Sequence, residues 1–294
     1  MDASIAVAHA ALQPLLAPVH PLYCPFPLID LYGAIRLSSV VNWIASGAFE
    51  PPASPSKGAK GKKAKGQGQA AKRARPSALQ EVAGIMVVVF GGETFLAMST
   101  NTSPSWLVNP SYALLFGLIH LLQTRTPFIH LLPSKPSFLL EILLATPDAI
   151  GRTLLLTRFS VLPLLASTSP KALPPTPASL LLVPFILAVP FASLIFSATS
   201  FFTPTPHLST PDELKPWGWL MVDAWAPVVV PAVFLSLVGP VQGWEFGLRW
   251  AEYEAVVVCM VGLSVVFALR AVYNFGGGKE VWGQLVEEEK VKVD

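Results

Sequence analysis

Long apolar runs, separated by short polar or proline-rich breaks, dominate the chain. A helix needs about 20 mostly apolar residues to cross a hydrocarbon core of roughly 30 Å. Seven windows of that kind stand out, at 25–46, 79–99, 110–132, 138–165, 179–202, 217–238 and 246–275. Backbone amides left unpaired in lipid are costly, so a crossing segment must be helical or belong to a closed barrel. Windows of this length exclude barrel strands of about ten residues. The pattern predicts an all-α membrane protein with about seven transmembrane helices.

Composition agrees. Of the 294 residues, 52% are hydrophobic and 13% charged, where ordinary soluble domains carry roughly 25% charge. The net charge of +2 hides an asymmetry, since Lys57 to Arg75 holds eight of the twenty Lys and Arg residues. This divides the chain into a non-cytosolic segment 1–24, a first transmembrane helix 25–48, a basic loop 49–77, six further helices within 78–275 and a tail 276–294. Residues 1–19 lack a basic n-region and contain Pro14 and Pro18, so they do not read as a cleaved leader. Excess Lys and Arg keep a loop cytosolic. The basic loop therefore puts the N-terminus on the lumenal side and the tail in the cytosol, and Asn101-Thr-Ser103 is a glycosylation sequon on the lumenal side.

The loop is rich in Gly, Ala and Gln as well as Lys, a composition that favours disorder. Lys62, Lys63, Lys65, Lys72 and Arg73 are candidates for binding anionic lipid; the plainer reading is a topology signal. Aromatic residues for base stacking are missing from it, which argues against nucleic acid as a partner.

Charges in the apolar windows are the candidate chemistry, because an ionisable group at mid-bilayer normally faces protein or water. Glu141, Asp148 and Arg152 in the fourth window follow i, i+7, i+11 spacing, which puts them within about 40° on one helix face. Asp148 and Arg152 are also an i, i+4 pair able to bond to each other, and Pro147 should kink the helix beside them. Such a stripe suits a hydrated path or gate, or else a static ion pair locking two helices. Gly91 and Gly92, followed by Glu93, permit a bend or close helix packing in the second window. Asp30 and Arg36 stand about 120° apart on the first helix and should meet different partners, while Asp223 lies in the sixth window near Pro227 and Pro231. Each lines or braces the interior.

No nucleophile elbow, zinc-protease helix or phosphate loop is present, and Gly276-Gly-Gly-Lys279 lacks phosphate-loop spacing. The expectation is no enzyme activity, no cofactor and no metal. Cys24 and Cys259 read as apolar fillers, and His120 and His130 as polar anchors.

The order of features resembles the trimeric intracellular cation channels of endoplasmic and sarcoplasmic reticulum membranes. Phe26-Pro-Leu-Ile-Asp30-Leu-Tyr32 is similar to that family's opening of the first helix. Arg75-Pro-Ser-Ala-Leu and Phe90-Gly-Gly-Glu-Thr-Phe-Leu-Ala97 are similar to its second helix, and Leu131-Leu-Pro-Ser-Lys135 to its approach to a polar fourth helix. The resemblance implies a homotrimer with a pore in each protomer, built from two three-helix repeats of inverted topology plus a seventh helix. It implies passage of potassium or other monovalent cations as counter-current to calcium release, with Gly91 and Gly92 at a helix bend. The family's Lys-Glu-Val motif is replaced by Ile142-Leu-Leu144, leaving Arg152 as the shifted basic candidate for lipid binding. Pro184 and Pro190 stand where its fifth helix has a glycine bend. Two other classes stay open: a non-conducting scaffold that interacts with lipid, and an ion- or proton-coupled transporter using Glu93, Glu141, Asp148 and Asp223.

Overall fold

The computed structural model describes residues 13–22, 24–48, 75–131, 135–215 and 221–275, with Ala10, Pro133 and Gly218. The basic cluster around Lys62, Lys63, Lys65, Lys72 and Arg73, and the tail from 276, lie outside the described residues. A two-stranded antiparallel hairpin, β1 (Pro18–His20) and β2 (Cys24–Pro27), leads into seven main helices among the described residues. These are α1 (Leu28–Ala45), α2 (Ala78–Thr100), α3 (Ser111–Arg125), α4 (Phe138–Ala166), α5 (Pro177–Ala198), α6 (Val222–Val238) and α7 (Glu252–Phe275).

Four of these, α2, α4, α5 and α7, are long and apolar enough to cross a membrane. The other three of the seven expected spans fall short in length or in composition, for local reasons. The apolar window at 25 begins as strand because Pro25 and Pro27 cannot donate to a helix, and α1 then carries both Asp30 and Arg36. Helix α3 ends at Arg125, just before Pro127, and the chain continues as a 3-10 turn, Pro127–Leu131. Its 15 residues extend only about 22 Å. Helix α6 is apolar but has 17 residues. The seventh window also opens late: residues 245–251 have no regular secondary structure and Arg249 has a positive φ of 57°.

Proline shapes the long helices from inside. Pro163 has no N–H for the carbonyl of Phe159, and the preceding turn widens into a π-helix, Thr157–Val161, with the Leu162 N–H donating to the Thr157 carbonyl. Helix α5 contains Pro184 and ends in a second π turn, Leu194–Ala198.

One core cluster unites α4, α5, α6 and α7 around Leu156, Leu180, Phe234 and Phe267, and a smaller one joins α1, α2 and the end of α5 around Val41, Ile85 and Phe202. The outer face of α7 is apolar: Val258, Val261, Val265, Leu269 and Val272 recur at helical spacing and are exposed. Polar groups point the other way, with Ser38, Asn42, Glu81, His120 and Thr153 all buried. That inside-out pattern is what a lipid solvent demands of a helix bundle.

Helices α1 and α4 run antiparallel. Tyr32 meets Asp148, Arg36 meets Glu141, and further along α1 the Trp43 indole donates to the Pro133 carbonyl at 2.7 Å.

Candidate functional site

Helix α4 starts at an N-cap, Ser137, whose hydroxyl accepts from the Leu140 N–H. The cap fixes where the helix begins, and Glu141 and Asp148 follow two turns apart, both directed toward α1. Their common partner is Arg36. Its Nη2 donates to both Glu141 oxygens, at 3.0 and 2.9 Å, and its Nε donates to Asp148 Oδ2 at 3.3 Å. The Tyr32 hydroxyl donates to the other Asp148 oxygen at 2.6 Å. The guanidinium also lies 5.5 Å from the Trp43 ring centre, a favourable cation and π-face contact. All three charged side chains are shielded, at 15%, 13% and 19% exposure for Arg36, Glu141 and Asp148. Two carboxylates thus share one guanidinium, and its Nη1 is buried without a partner among the described residues.

One turn further along α4 the balance reverses. Arg152 Nη2 donates to Asp223 Oδ1 at 2.8 Å, and Arg270 Nη1 donates to Asp223 Oδ2 at 3.2 Å. Arg270 also packs 4.5 Å from the centre of the Phe267 ring. This group links α4, α6 and α7 with two cations on one anion, and is wetter, with the Asp223 side chain 44% exposed. The expected Asp148 to Arg152 bond within α4 is therefore replaced by bonds between helices. Asp148 is engaged by α1, and Arg152 reaches across to α6.

A third group was not foreseen from the sequence. Glu81, in the first turn of α2, is fully buried and holds three basic groups: Arg75 Nε at 2.8 Å, Arg125 Nη2 at 2.7 Å and His120 Nε2 at 3.2 Å. His120 Nδ1 pairs in turn with the Ser38 hydroxyl at 2.9 Å, so the hub fastens α1, α2 and α3. His120 is an interior bridge and not an interfacial anchor. The only prior signal for Glu81 was a helix-start carboxylate four residues after the Ser77 cap, a position favoured by the helix dipole in any protein.

The other expected residues lie elsewhere. Gly91 and Gly92 face α5, where an added Cβ would meet the Phe191 ring and the Leu187 carbonyl oxygen respectively. With Gly84 against Phe202, they form a packing seam. Glu93 accepts from the Ser105 N–H at 2.6 Å and closes the turn after α2. Asp30 is half-buried in the first turn of α1, apart from the Arg36 group. Among the described residues no group of His, Cys, Asp or Glu is arranged to hold a metal ion. Two cavities, an open apolar hollow of about 560 Å³ beside α6 and a cleft of about 250 Å³ between α4 and α7, are lined by none of the residues in the charge groups.

Comparison with protein families, curated proteins and solved structures finds no match to this chain.

Proposed function

We propose that the chain is an integral membrane protein that conducts monovalent cations, chiefly potassium, with the Arg36 bridge to Glu141 and Asp148 as its closed gate. The observation that carries this reading is the charge count at that bridge: two shielded carboxylates against one guanidinium. An uncompensated negative charge in a low-dielectric setting is costly, and a small cation entering from water is the simplest species to neutralise it. Swinging Arg36 aside would expose both carboxylates to such an ion. The motif likeness to the trimeric intracellular cation channels supports the same reading. It extends the proposal to two inverted three-helix repeats plus a seventh helix, a homotrimer, and an endoplasmic reticulum or other internal membrane. The N-terminus would be lumenal and the C-terminus cytosolic, with the current serving as counter-ion flow for calcium release.

A second reading rests on a different observation. Every member of the two α4 charge groups already has an ion-pair partner, as a static brace in a non-conducting scaffold would. Planar bilayers separate the two. Reconstituted protein should carry potassium current that changes with Asp148→Asn, whereas ion-tight bilayers at verified incorporation would sink the channel reading and leave the brace.

A further inference from the structure

The cleft between α4 and α7 lies at the opposite end of α4 from Glu141. Arg158 of the π turn and Glu252, the first residue of α7, stand on its walls with Leu154, Val256, Val257 and Met260. Gln13 and Tyr253 close the rim. Arg158 and Glu252 are both exposed. Although they share this cleft of about 250 Å³, they make no ion pair with each other. Neither side chain has a hydrogen-bond or ion-pair partner among the described residues.

An arginine inside a helix long enough to cross a membrane is normally paired or turned toward water, so it should have a counter-charge. The protein presents one and holds it across a gap. A single anion would satisfy Arg158 and aggravate Glu252, and a single cation would do the reverse. A zwitterion satisfies both. Glu252 opens α7, an end that in a bilayer would lie near the edge of the hydrocarbon, and the rest of the lining is mostly aliphatic. Below it the exposed Val261 and Val265 of α7 continue an apolar track along the same helix.

We propose that this cleft binds the headgroup of a zwitterionic phospholipid, with the phosphate on Arg158, the ammonium on Glu252 and an acyl chain along α7. The π turn contributes by changing the helical register at Arg158, a distortion often found at functional sites. The proposal requires only that the chain sit in a bilayer, and it stands whether or not the protein conducts ions.

The test is native mass spectrometry of the full chain in detergent, with added phosphatidylethanolamine or phosphatidylglycerol. Wild-type protein should retain phosphatidylethanolamine in preference. Arg158→Gln should weaken both lipids by roughly tenfold or more, as expected for loss of a charge-assisted hydrogen bond. Glu252→Gln should keep phosphatidylglycerol and lose the preference. Arg158→Lys, which preserves the charge, should retain most binding and so separates lost recognition from misfolding. Undiminished lipid retention by Arg158→Gln would overturn the proposal. So would displacement of the lipid by equimolar inorganic phosphate or glycerophosphoethanolamine, which would mark a site for soluble anions or headgroups.

Discussion

Arg36 and Asp148 lie 112 residues apart in sequence and 3.3 Å apart in space, Nε to Oδ2, on antiparallel helices. The contact fixes how α1 docks on α4, and it commits the Arg36 guanidinium to two anions. Removing that guanidinium leaves Glu141 and Asp148 unneutralised along one face of α4. Arg36→Ala should destabilise the protein by about 3–5 kcal/mol, the usual cost of breaking a buried pair from one side. Replacing Arg36, Glu141 and Asp148 together by Leu should be close to neutral for stability and should abolish any cation current. Thermal unfolding in detergent measures the first effect and bilayer recording the second. Stable, conducting triple-Leu protein would refute the gate assignment.

Tyr32 tests the same bridge more gently. Its hydroxyl occupies one Asp148 oxygen, so Tyr32→Phe removes a hydrogen bond worth about 1.5–3 kcal/mol to a charged acceptor and frees that oxygen for a cation. The expected result is a modest loss of stability with higher open probability in single-channel records. Unchanged gating would place Tyr32 outside the mechanism.

Much of this arrangement can be read from residue order, and the part that cannot has a common cause. The spacing of Glu141, Asp148 and Arg152 puts them on one helix face, and that stripe is where α1, α6 and α7 bring their charges. The glycine pair likewise marks a helix contact, because only a missing side chain permits the approach to Leu187. Pairing is a different matter. Within α4, Asp148 and Arg152 have the right spacing to bond, yet each prefers a partner on another helix. The docking of α1 and α6 decides this, and docking leaves no periodic trace. Glu81 escapes for a similar reason: its three basic partners come from the loop end, α2's neighbour α3 and the interior face of that helix. The ends of α1, α3 and α7 depart from the apolar windows because Pro25, Pro27, Pro127 and the positive φ at Arg249 break the backbone within stretches whose neighbours stay apolar.

Gly92 should be the least tolerant of the α2 glycines. A Cβ there meets the backbone carbonyl of Leu187, which cannot rotate away, whereas at Gly91 it meets the Phe191 ring. Gly92→Ala should cost about 1–3 kcal/mol through separation of α2 and α5, and Gly91→Ala less. Comparing the two melting transitions checks the order, and equal costs would show that the seam relaxes as a whole.

The Glu81 hub predicts a folding defect rather than a transport defect. Glu81→Ala strands Arg75, Arg125 and His120 around an empty site, at a cost of about 3 kcal/mol, with α3 the element loosened. Hydrogen exchange should rise across Ser111–Arg125 while the α4–α7 core stays protected. Exchange confined to α4 would contradict the assignment of this hub to α1, α2 and α3.

The two charge groups on α4 should differ in strength because they differ in access to water. Arg36, Glu141 and Asp148 are each under one fifth exposed, whereas Asp223 is 44% exposed and Arg152 and Arg270 are 30% exposed. Solvent screens the second group, and an exposed ion pair is worth at most about 1 kcal/mol. Asp223 nevertheless neutralises two cations, so its loss would leave Arg152 and Arg270 in a repulsion that water only partly relieves. Double-mutant cycles resolve this, since each isolates one pair from its surroundings. The Arg36 and Glu141 cycle should return a coupling well above that of Arg152 and Asp223, and raising salt from low to molar concentration should erase the second while leaving most of the first. Equal couplings with equal salt sensitivity would mean that water reaches Glu141 as freely as Asp223, and would count against the proposed closed gate at Arg36.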